Sequence, residues 1–295
     1  MTQTVNIAGF GCKATIQTKG AQIISFVDET GREHIWQRDP AVWPNCTPIM
    51  FPVCGAVWND AICVGGKTYP HMKHGFSRVS EFAVGKVGED FVEMVLEANE
   101  ETKAMYPFAF VLHVTYTIVP GGYTTTLLVE NKSTGEMPFC IGGHPGFICP
   151  MEEGASFTDY LLVFEQEEEG RTSLAPGGGL IDGSEIVPDF IDGKTLPVGH
   201  HLFDERDALI FAGLRSRSVR LIHKTSGKGL RFDFPKFENL AVWSAPKKNA
   251  DYLCLEPWHG LPDAVTESGK FEDKANVTIL QPGTCYKAAF TMTLI

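Results

Sequence analysis

Val111-Leu-His-Val-Thr-Tyr-Thr-Ile118 is the stretch that decides the fold class, because its apolar residues alternate with polar ones. Residues two apart lie on the same face of a strand, so this alternation predicts a β-strand with one buried face. Val119-Pro120-Gly121-Gly122 follows and is typical of a hairpin turn. The run from Thr124 to Val129 is rich in β-branched residues and predicts the returning strand. The stretch therefore predicts an antiparallel hairpin.

Strand patterns recur along the chain, whereas long segments with the 3.6-residue period of a helix are absent from the sequence. Alternation or enrichment in β-branched and aromatic residues marks Lys13 to Thr18, Val219 to Ile222, Leu230 to Phe234 and Leu240 to Trp243. Glu100 to Tyr106 predicts one or two helical turns, which Pro107 ends. We predict an all-β fold of antiparallel sheets.

The segment from Glu165 to Asp192 interrupts the strand patterning. It contains Glu167-Glu168-Glu169-Gly170 and the glycine-rich run Pro176-Gly177-Gly178-Gly179. Strand patterns resume after it without a change of character, so we interpret it as an exposed excursion between strands and not as a domain linker. The sequence shows no internal repeat, and we predict a single domain over residues 1–295.

Composition and charge restrict the classes of function. A formal net charge of -11 argues against nucleic-acid binding, which requires clustered lysine and arginine. We predict no membrane partner, because no apolar stretch approaches the length of a membrane span and the first ten residues lack the features of a signal peptide. The eight cysteines form no CxxC pair and predict reduced thiols in a cytoplasmic protein.

The segment Gly142-Gly143-His144-Pro145-Gly146-Phe147 surrounds a histidine with glycines and a proline. Pro145 disfavours helical backbone angles at His144, and the glycines allow the backbone to approach a ligand closely. Histidine titrates near neutral pH, which suits it to general acid catalysis. A lone histidine is more often a turn residue, but these neighbours favour a functional role for His144.

A carboxylate occurs in a second apolar segment, Cys254-Leu255-Glu256-Pro257-Trp258. Burial of a carboxylate is costly unless the group is paired or functional. Trp258 offers an aromatic face suited to the apolar side of a pyranose ring, and Asp263 adds a polar group in the same loop. We interpret Glu256 as a proton-transfer group and expect Trp258 and Asp263 to bind substrate; a surface glutamate before a turn is the alternative.

A third cluster is His74-Gly75-Phe76-Ser77-Arg78, in which His74 and Arg78 are suited to donate hydrogen bonds to a hydroxylated or anionic ligand. His71 lies three residues before His74, a spacing that permits metal ligation on a helix. Pro70 and Gly75 argue against a helix here, and we predict no metal site. Nucleotide-binding glycine motifs are absent from the sequence, so we predict no cofactor.

Several segments together resemble one family. They are Ile35-Trp36-Gln37-Arg38-Asp39-Pro40 with Trp43, Pro48-Ile49-Met50-Phe51-Pro52, His74-Gly75-Phe76-Ser77-Arg78, Tyr106-Pro107-Phe108, His144-Pro145-Gly146-Phe147, Asp207-Ala208-Leu209-Ile210-Phe211 and Glu256-Pro257-Trp258-His259-Gly260-Leu261-Pro262-Asp263. In order and spacing they are similar to the aldose 1-epimerase (galactose mutarotase-like) superfamily, and within it to the bacterial LacX-type branch. The resemblance covers nearly the whole chain.

The resemblance implies a β-supersandwich of antiparallel sheets with a small-molecule sugar bound in a cleft. It implies that Glu256 is the general base for the anomeric hydroxyl and that His144 is the general acid for the ring oxygen. It implies sugar-binding roles for His74, Arg78 and Asp207, and a reaction without metal or coenzyme. Reference pKa values of about 4.3 for glutamate and about 6.5 for histidine make an ionised base and a protonated acid accessible near neutrality.

One position departs from the LacX-type pattern. Ala56, in Gly55-Ala56-Val57-Trp58, stands where these relatives carry an arginine that contacts the sugar. The loss of a substrate-orienting donor leaves the preferred sugar open, whether free, phosphorylated or otherwise modified. We expect an isomerase that acts on carbohydrates; the alternative is a carbohydrate-binding protein on the same scaffold with little or no catalysis.

Overall fold

The computed structural model describes residues 2–170 and 172–295, and its regular structure is mainly β-strand. The strands are β1 (Thr4–Gly9), β2 (Cys12–Gln17), β3 (Ile23–Val27), β4 (Ile49–Met50), β5 (Ala61–Val64), β6 (Lys67–Pro70), β7 (Ala83–Val87), β8 (Phe91–Glu97), β9 (Phe110–Val119), β10 (Gly122–Asn131), β11 (Met137–Phe139), β12 (Ile141–Gly143), β13 (Gly146–Ile148), β14 (Tyr160–Phe164), β15 (Thr172–Ser173), β16 (Glu185–Ile186), β17 (Thr195–Pro197), β18 (Ala208–Phe211), β19 (Ser218–His223), β20 (Gly229–Asp233), β21 (Asn239–Trp243), β22 (Tyr252–His259), β23 (Thr278–Leu280) and β24 (Cys285–Leu294). The helices are α1 (Glu100–Met105) and α2 (His201–Asp204). Single 3₁₀ turns occur at Trp58–Asp60, Ser77–Val79, Phe157–Asp159, Pro176–Gly178 and Phe271–Asp273.

The hairpin predicted from the alternating stretch is formed by β9 and β10. Val119 pairs with Gly122, so Pro120 and Gly121 are the two residues of the turn. Gly121 has a φ of +67°, a backbone conformation that glycine adopts without strain. Alternate residues of β9 are buried from Phe110 onward, as the period of two requires. The predicted hairpin is confirmed.

The short helix predicted before Pro107 is also confirmed. In α1, the Asn99 side chain accepts a hydrogen bond from the backbone N–H of Thr102 at 2.9 Å and caps the first turn. The helix ends at Met105, because Pro107 lies just beyond it and cannot donate a backbone hydrogen bond.

Two large sheets dominate the fold, and every pairing between two of the strands named above is antiparallel. The nine-stranded sheet has the order β17-β14-β19-β20-β24-β10-β9-β8-β7, and the eight-stranded sheet has the order β16-β15-β18-β21-β22-β12-β4, with β13 also paired to β22. Aromatic side chains join the two sheets: the Phe164 and Phe211 rings are 5.1 Å apart, and those of Phe147 and Phe232 are 5.8 Å apart. The all-β sandwich of antiparallel sheets is confirmed.

The glycine-rich segment from 165 to 192 differs from the exposed excursion that the sequence predicts. It contains β15 and β16, and β15 pairs with β18 at the edge of the eight-stranded sheet. Thr172 and Ala175 are buried. The segment is therefore partly incorporated into the eight-stranded sheet. Its short strand β15 hydrogen-bonds to β18, whose edge would otherwise be unpaired.

Strand β22 is buried on both faces, and this places the candidate site. Leu253 and Leu255 point into the main core between the two sheets. Tyr252 and Cys254 alternate with them and pack with tryptophans on the opposite face of the eight-stranded sheet. Glu256 is two residues after Cys254, so its carboxylate lies on that second face. None of the helices formed by the described residues has the length and apolar character to cross a bilayer.

Candidate active site

His144 and Glu256, which are far apart in sequence, meet through β22. β12 ends just before His144 and β13 begins just after Pro145, and both strands pair with β22. The backbone N–H of Leu255 donates to the Pro145 carbonyl at 3.2 Å, which seats this connection beside the middle of β22. As a result, His144 Nε2 lies 3.2 Å from Glu256 Oε1. The structure thus brings together the two residues that the sequence predicts as proton-transfer groups.

The glycines beside His144 serve packing, which differs from the expected role of admitting a ligand to the backbone. A Cβ atom at Gly143 would overlap the ring of Phe290 from the other sheet. A Cβ atom at Gly146 would lie 2.8 Å from the Trp43 ring, closer than van der Waals contact allows. Glycine at these positions therefore lets the His144 connection fit tightly between the core and Trp43.

Burial shifts the titration of the pair away from the ordinary values assumed from sequence. His144 is 9% exposed and Glu256 is 2% exposed. Desolvation lowers the pKa of His144 to about 3 and raises the pKa of Glu256 well above its usual value. The nearby charge of Lys73 opposes the second shift by lowering the pKa of Glu256. Between these two pKa values the pair holds one proton in total, which the free site keeps on Glu256.

His74 lies beside the pair in a fixed orientation. It has a φ of +65°, and its Nδ1 accepts a hydrogen bond from the backbone N–H of Gly55 at 3.1 Å. Its ring centroid is 5.5 Å from that of His144 and 6.0 Å from that of Trp258. His74 is one of the residues that line the cavity, and desolvation by the surrounding protein lowers its pKa well below the usual value. A neutral imidazole that accepts a hydrogen bond at Nδ1 carries its proton on Nε2. His74 can therefore donate a hydrogen bond from Nε2.

A cavity of about 270 Å³ opens over these groups. Six of the seven predicted site residues line it: His74, Arg78, His144, Asp207, Glu256 and Trp258. Three buried polar atoms of its lining have no hydrogen-bond partner in the described part of the chain: His144 Nδ1, Glu256 Oε2 and Trp258 Nε1. Buried polar groups normally find partners, so these three atoms are candidates for contact with a polar ligand.

Tryptophans enclose His144 on two sides, which the sequence did not reveal as part of the site. The His144 ring centroid is 5.0 Å from that of Trp43 and 5.6 Å from that of Trp243. Trp243 Nε1 also donates to Asp207 Oδ1 at 3.0 Å. Trp43 is among the residues that carry the family resemblance. Trp243 lies in a predicted strand, and nothing in the sequence distinguishes it from other strand residues. The indoles explain the depth of burial, and Trp243 orients the Asp207 carboxylate.

Asp263 is the exception among the predicted substrate-binding residues, because it does not line the cavity. Its Oδ2 accepts a hydrogen bond from the backbone N–H of Trp58 at 2.8 Å, and its Oδ1 pairs with the ammonium of Lys274. Its own backbone N–H donates to the carbonyl of Ala56 at 2.9 Å. Both carboxylate oxygens are thus engaged, and the position corrects the prediction: Asp263 supports the loop from Gly55 to Trp58 behind the site.

We expect Asp263→Asn to destabilise the fold by about 3 kcal/mol, because removal of one partner leaves a buried charge inadequately paired. Asp263 and Lys274 are 4% and 5% exposed, and the next carboxylate, on Glu267, is 3.9 Å from the ammonium. Urea unfolding at neutral pH measures the free energy of unfolding. Asp273→Asn is the matched control, since its pair with Lys270 is exposed and worth under about 1 kcal/mol. Equal losses in the two variants would contradict the supporting role of Asp263.

The possible metal ligands of the site are His144, Cys254 and Glu256, whose ligand atoms lie within 4.8 Å of one another. Burial raises the pKa of the Cys254 thiol well above its usual value, and a protonated thiol is a poor ligand. His71 is buried against the Phe76 ring, at 5.8 Å between centroids, and is not part of the cavity lining. The donor set is therefore better suited to proton transfer than to metal binding.

Lys73 lines the cavity and was also missed from the sequence. Its only signal was its place directly before His74. Ala56, at the position of the LacX-type arginine, does not line the cavity. The cations of the lining are therefore Lys73 and Arg78, and its carboxylates are Asp207 and Glu256.

Fold and site together define a class: an antiparallel β-sandwich that holds a buried histidine–glutamate pair in a tryptophan-lined cavity. A model of the aldose 1-epimerase family matches residues 3–275. The chain belongs to the aldose 1-epimerase family. It is 36% identical to protein LacX of Lactococcus lactis subsp. lactis over 286 residues, which cover 95% of each chain.

Solved structures agree with this fold. A galactose mutarotase related enzyme from Lactobacillus acidophilus is 29% identical and superimposes with a TM-score of 0.92, covering 99% of this chain and 97% of its own. A galactose mutarotase-like protein from Lactobacillus casei ATCC 334 gives the same identity and TM-score over 99% of this chain and 100% of its own. The resemblance to the LacX-type branch and the galactose mutarotase-like fold are thus confirmed.

Proposed function

We propose that the protein is an aldose 1-epimerase, which interconverts the α and β anomers of a hexose. The observation that carries the proposal is the 3.2 Å approach of His144 Nε2 to Glu256 Oε1 in a buried cavity. The anomeric hydroxyl and the ring oxygen of an aldose are bonded to the same carbon. Two proton-transfer groups at this separation are therefore spaced to reach both oxygens at once.

The proposed reaction moves two protons in each half. In the ion-pair form, the Glu256 carboxylate takes the proton of the anomeric hydroxyl while the His144 imidazolium protonates the ring oxygen, and the C1–O5 bond breaks. Glu256 is then neutral and His144 has lost its proton, which is the form that burial favours. The open aldehyde rotates about C1–C2. Ring closure on the other face returns both protons and restores the ion pair.

Four further residues are proposed to hold the sugar during these steps. His74 and Arg78 supply donors, Asp207 supplies an acceptor, and Trp258 supplies an aromatic wall, all around one cavity. Fixing the substrate in this way lowers the entropic cost of concerted proton transfer. We also propose a cytoplasmic location, which the free thiols of all eight cysteines support.

We expect the pH profile of kcat/KM, which reports the groups of the free enzyme, not to follow the ordinary titration of histidine between pH of about 5 and about 7. A histidine with an ordinary pKa loses its proton in this range, so the rate would fall through pH of about 6.5. Here the pKa of His144 is lowered to about 3 and that of Glu256 is raised well above its usual value, so the ordinary histidine titration is removed from this range. His74 stays neutral because its pKa is also lowered. Polarimetry corrected for buffer catalysis gives the profile, and an inflection near pH of about 6.5 would contradict the shared proton.

Polarimetric decay of freshly dissolved single anomers, over a panel of free and phosphorylated hexoses, tests the function. The proposal predicts that catalytic amounts of the protein speed the approach to the equilibrium rotation for at least one sugar. Saturation-transfer NMR on the same panel measures sugar binding separately. Binding without acceleration would support the alternative, a carbohydrate-binding protein, and would overturn the epimerase.

A further inference from the structure

Lys73 brings a positive charge into the cavity from the residue directly before His74. Its backbone carbonyl accepts a hydrogen bond from Arg78 Nε at 3.3 Å, which holds this part of the loop in place. Among the described residues, no carboxylate forms an ion pair with the ammonium within 4.0 Å. In a chain with a formal net charge of -11, a cation that lines a cavity without an ion-pair partner needs an explanation.

The ammonium is positioned by the glycine-rich segment. A Cβ atom at Gly178 would overlap Lys73 Nζ and would lie 2.7 Å from Asp207 Oδ2. Gly178 has a φ of +69° and lines the cavity at the end of the Pro176–Gly178 turn. The two charged atoms therefore flank one glycine, close together but too far apart to form an ion pair. Any larger residue at this position would displace the flexible end of Lys73.

The two charged groups have complementary hydrogen-bonding needs. Asp207 Oδ1 already accepts from Trp243 Nε1 at 3.0 Å, so Oδ2 is the oxygen left beside Lys73. An ammonium has three donors and no acceptor, and a carboxylate only accepts. Sugar hydroxyls both donate and accept. A pair of adjacent hydroxyls is therefore the chemistry that satisfies both groups at once.

We propose that Lys73 is a substrate-contacting residue and forms with Asp207 a clamp for two adjacent hydroxyls of the sugar, with Gly178 keeping the ammonium in place. This assignment rests on the proposed epimerase function. It gives the site a donor that the uncharged Ala56 does not provide. The same charge lowers the pKa of Glu256, so the clamp also favours the ionised base.

Steady-state kinetics of Lys73→Met tests the clamp. We expect KM to rise roughly 10–100-fold, the loss typical of a hydrogen bond to a charged group, with a smaller effect on kcat. Gly178→Ala is expected to raise KM in the same direction, because the new methyl group displaces the ammonium without removing its charge. If Lys73→Met has the same thermal unfolding midpoint as the wild type, the substitution has left the fold intact. An unchanged KM in Lys73→Met overturns the clamp.

Gly177→Ala is the matched control for Gly178→Ala. Gly177 has a similar φ of +62°, but a Cβ atom there meets nothing within 4 Å. Both substitutions therefore carry similar backbone strain, and only the one at Gly178 touches Lys73. We expect Gly177→Ala to keep KM within about twofold of the wild-type value. Equal rises in KM at the two glycines would assign the effect to backbone strain and overturn the role of Gly178.

A panel of monodeoxy hexoses identifies the contacted hydroxyls and separates this inference from the proposed function. Where a sugar lacks a hydroxyl bound by Lys73, Lys73→Met should cost little further affinity. If Lys73→Met loses the same affinity for every deoxy sugar, the clamp is wrong. The proposed epimerase function is still supported in that case, provided that the wild type accelerates anomer exchange. If the wild type binds sugars without catalysis, the epimerase fails, and saturation-transfer NMR on the same variants still decides the clamp.

Discussion

Glu256→Gln is expected to lower kcat for anomer exchange by a factor of about 10²–10⁴, the usual contribution of one proton-transfer group. The amide keeps the size of the side chain but neither takes up nor returns the proton of the anomeric hydroxyl. KM should change much less, because the sugar-holding side chains of the cavity are untouched. Polarimetry at several sugar concentrations separates the two constants.

The fold of Glu256→Gln is expected to be retained or stabilised. The wild-type carboxyl is 2% exposed and its pKa is raised by desolvation, so its burial opposes folding near neutral pH. An amide has no such cost, and thermal unfolding near neutral pH measures the difference. A stable variant with undiminished kcat would remove Glu256 from the mechanism.

His144→Gln is expected to cause a loss of similar size, about 10²–10⁴ in kcat. His144 is the proposed donor to the ring oxygen, and a glutamine amide is too weak an acid to take over this role. The tryptophans at 5.0 and 5.6 Å from the ring pack against His144 and restrict its orientation. The variant should be assayed by the same polarimetric decay.

His201→Gln is the control for this substitution. His201 is exposed at the start of α2 and does not line the cavity, so kcat and KM should equal those of the wild type. A comparable loss in the two histidine variants would indicate a general effect of the substitution. Full activity in His144→Gln would contradict its role as the acid.

The sequence was sufficient for the fold because alternation carries most of the information about a half-buried strand. Val111 to Ile118 predicts the strand and the orientation of its side chains, and Pro120-Gly121 predicts the turn. The segment from 165 to 192 was different. Its strands are two residues long, too short for a periodic signal, and their pairing depends on the free edge at β18.

The proximity of His144 and Glu256 was predictable because each residue stands in a distinctive motif, and the family resemblance added the roles proposed for them. The shifted pKa values were not predictable, since they follow from enclosure by Trp43 and Trp243, which lie on separate segments. Lys73 was missed for a similar reason: its position is defined by Gly178, which is distant in sequence. Proximity in sequence to Glu256 predicts that Asp263 belongs to the site. In the structure, its carboxylate instead forms an ion pair with Lys274 and does not line the cavity.

We propose that His144 and Glu256 act as one proton-transfer unit on an aldose. Exchange NMR between the α and β anomeric protons of a sugar at equilibrium tests it most directly, with the wild type and the double variant His144→Gln/Glu256→Gln. We expect fast exchange in the wild type and a double variant scarcely slower than either single variant, because the effects of groups that act as a unit are not additive. Wild-type exchange no faster than in buffer, or losses that multiply in the double variant, would contradict it.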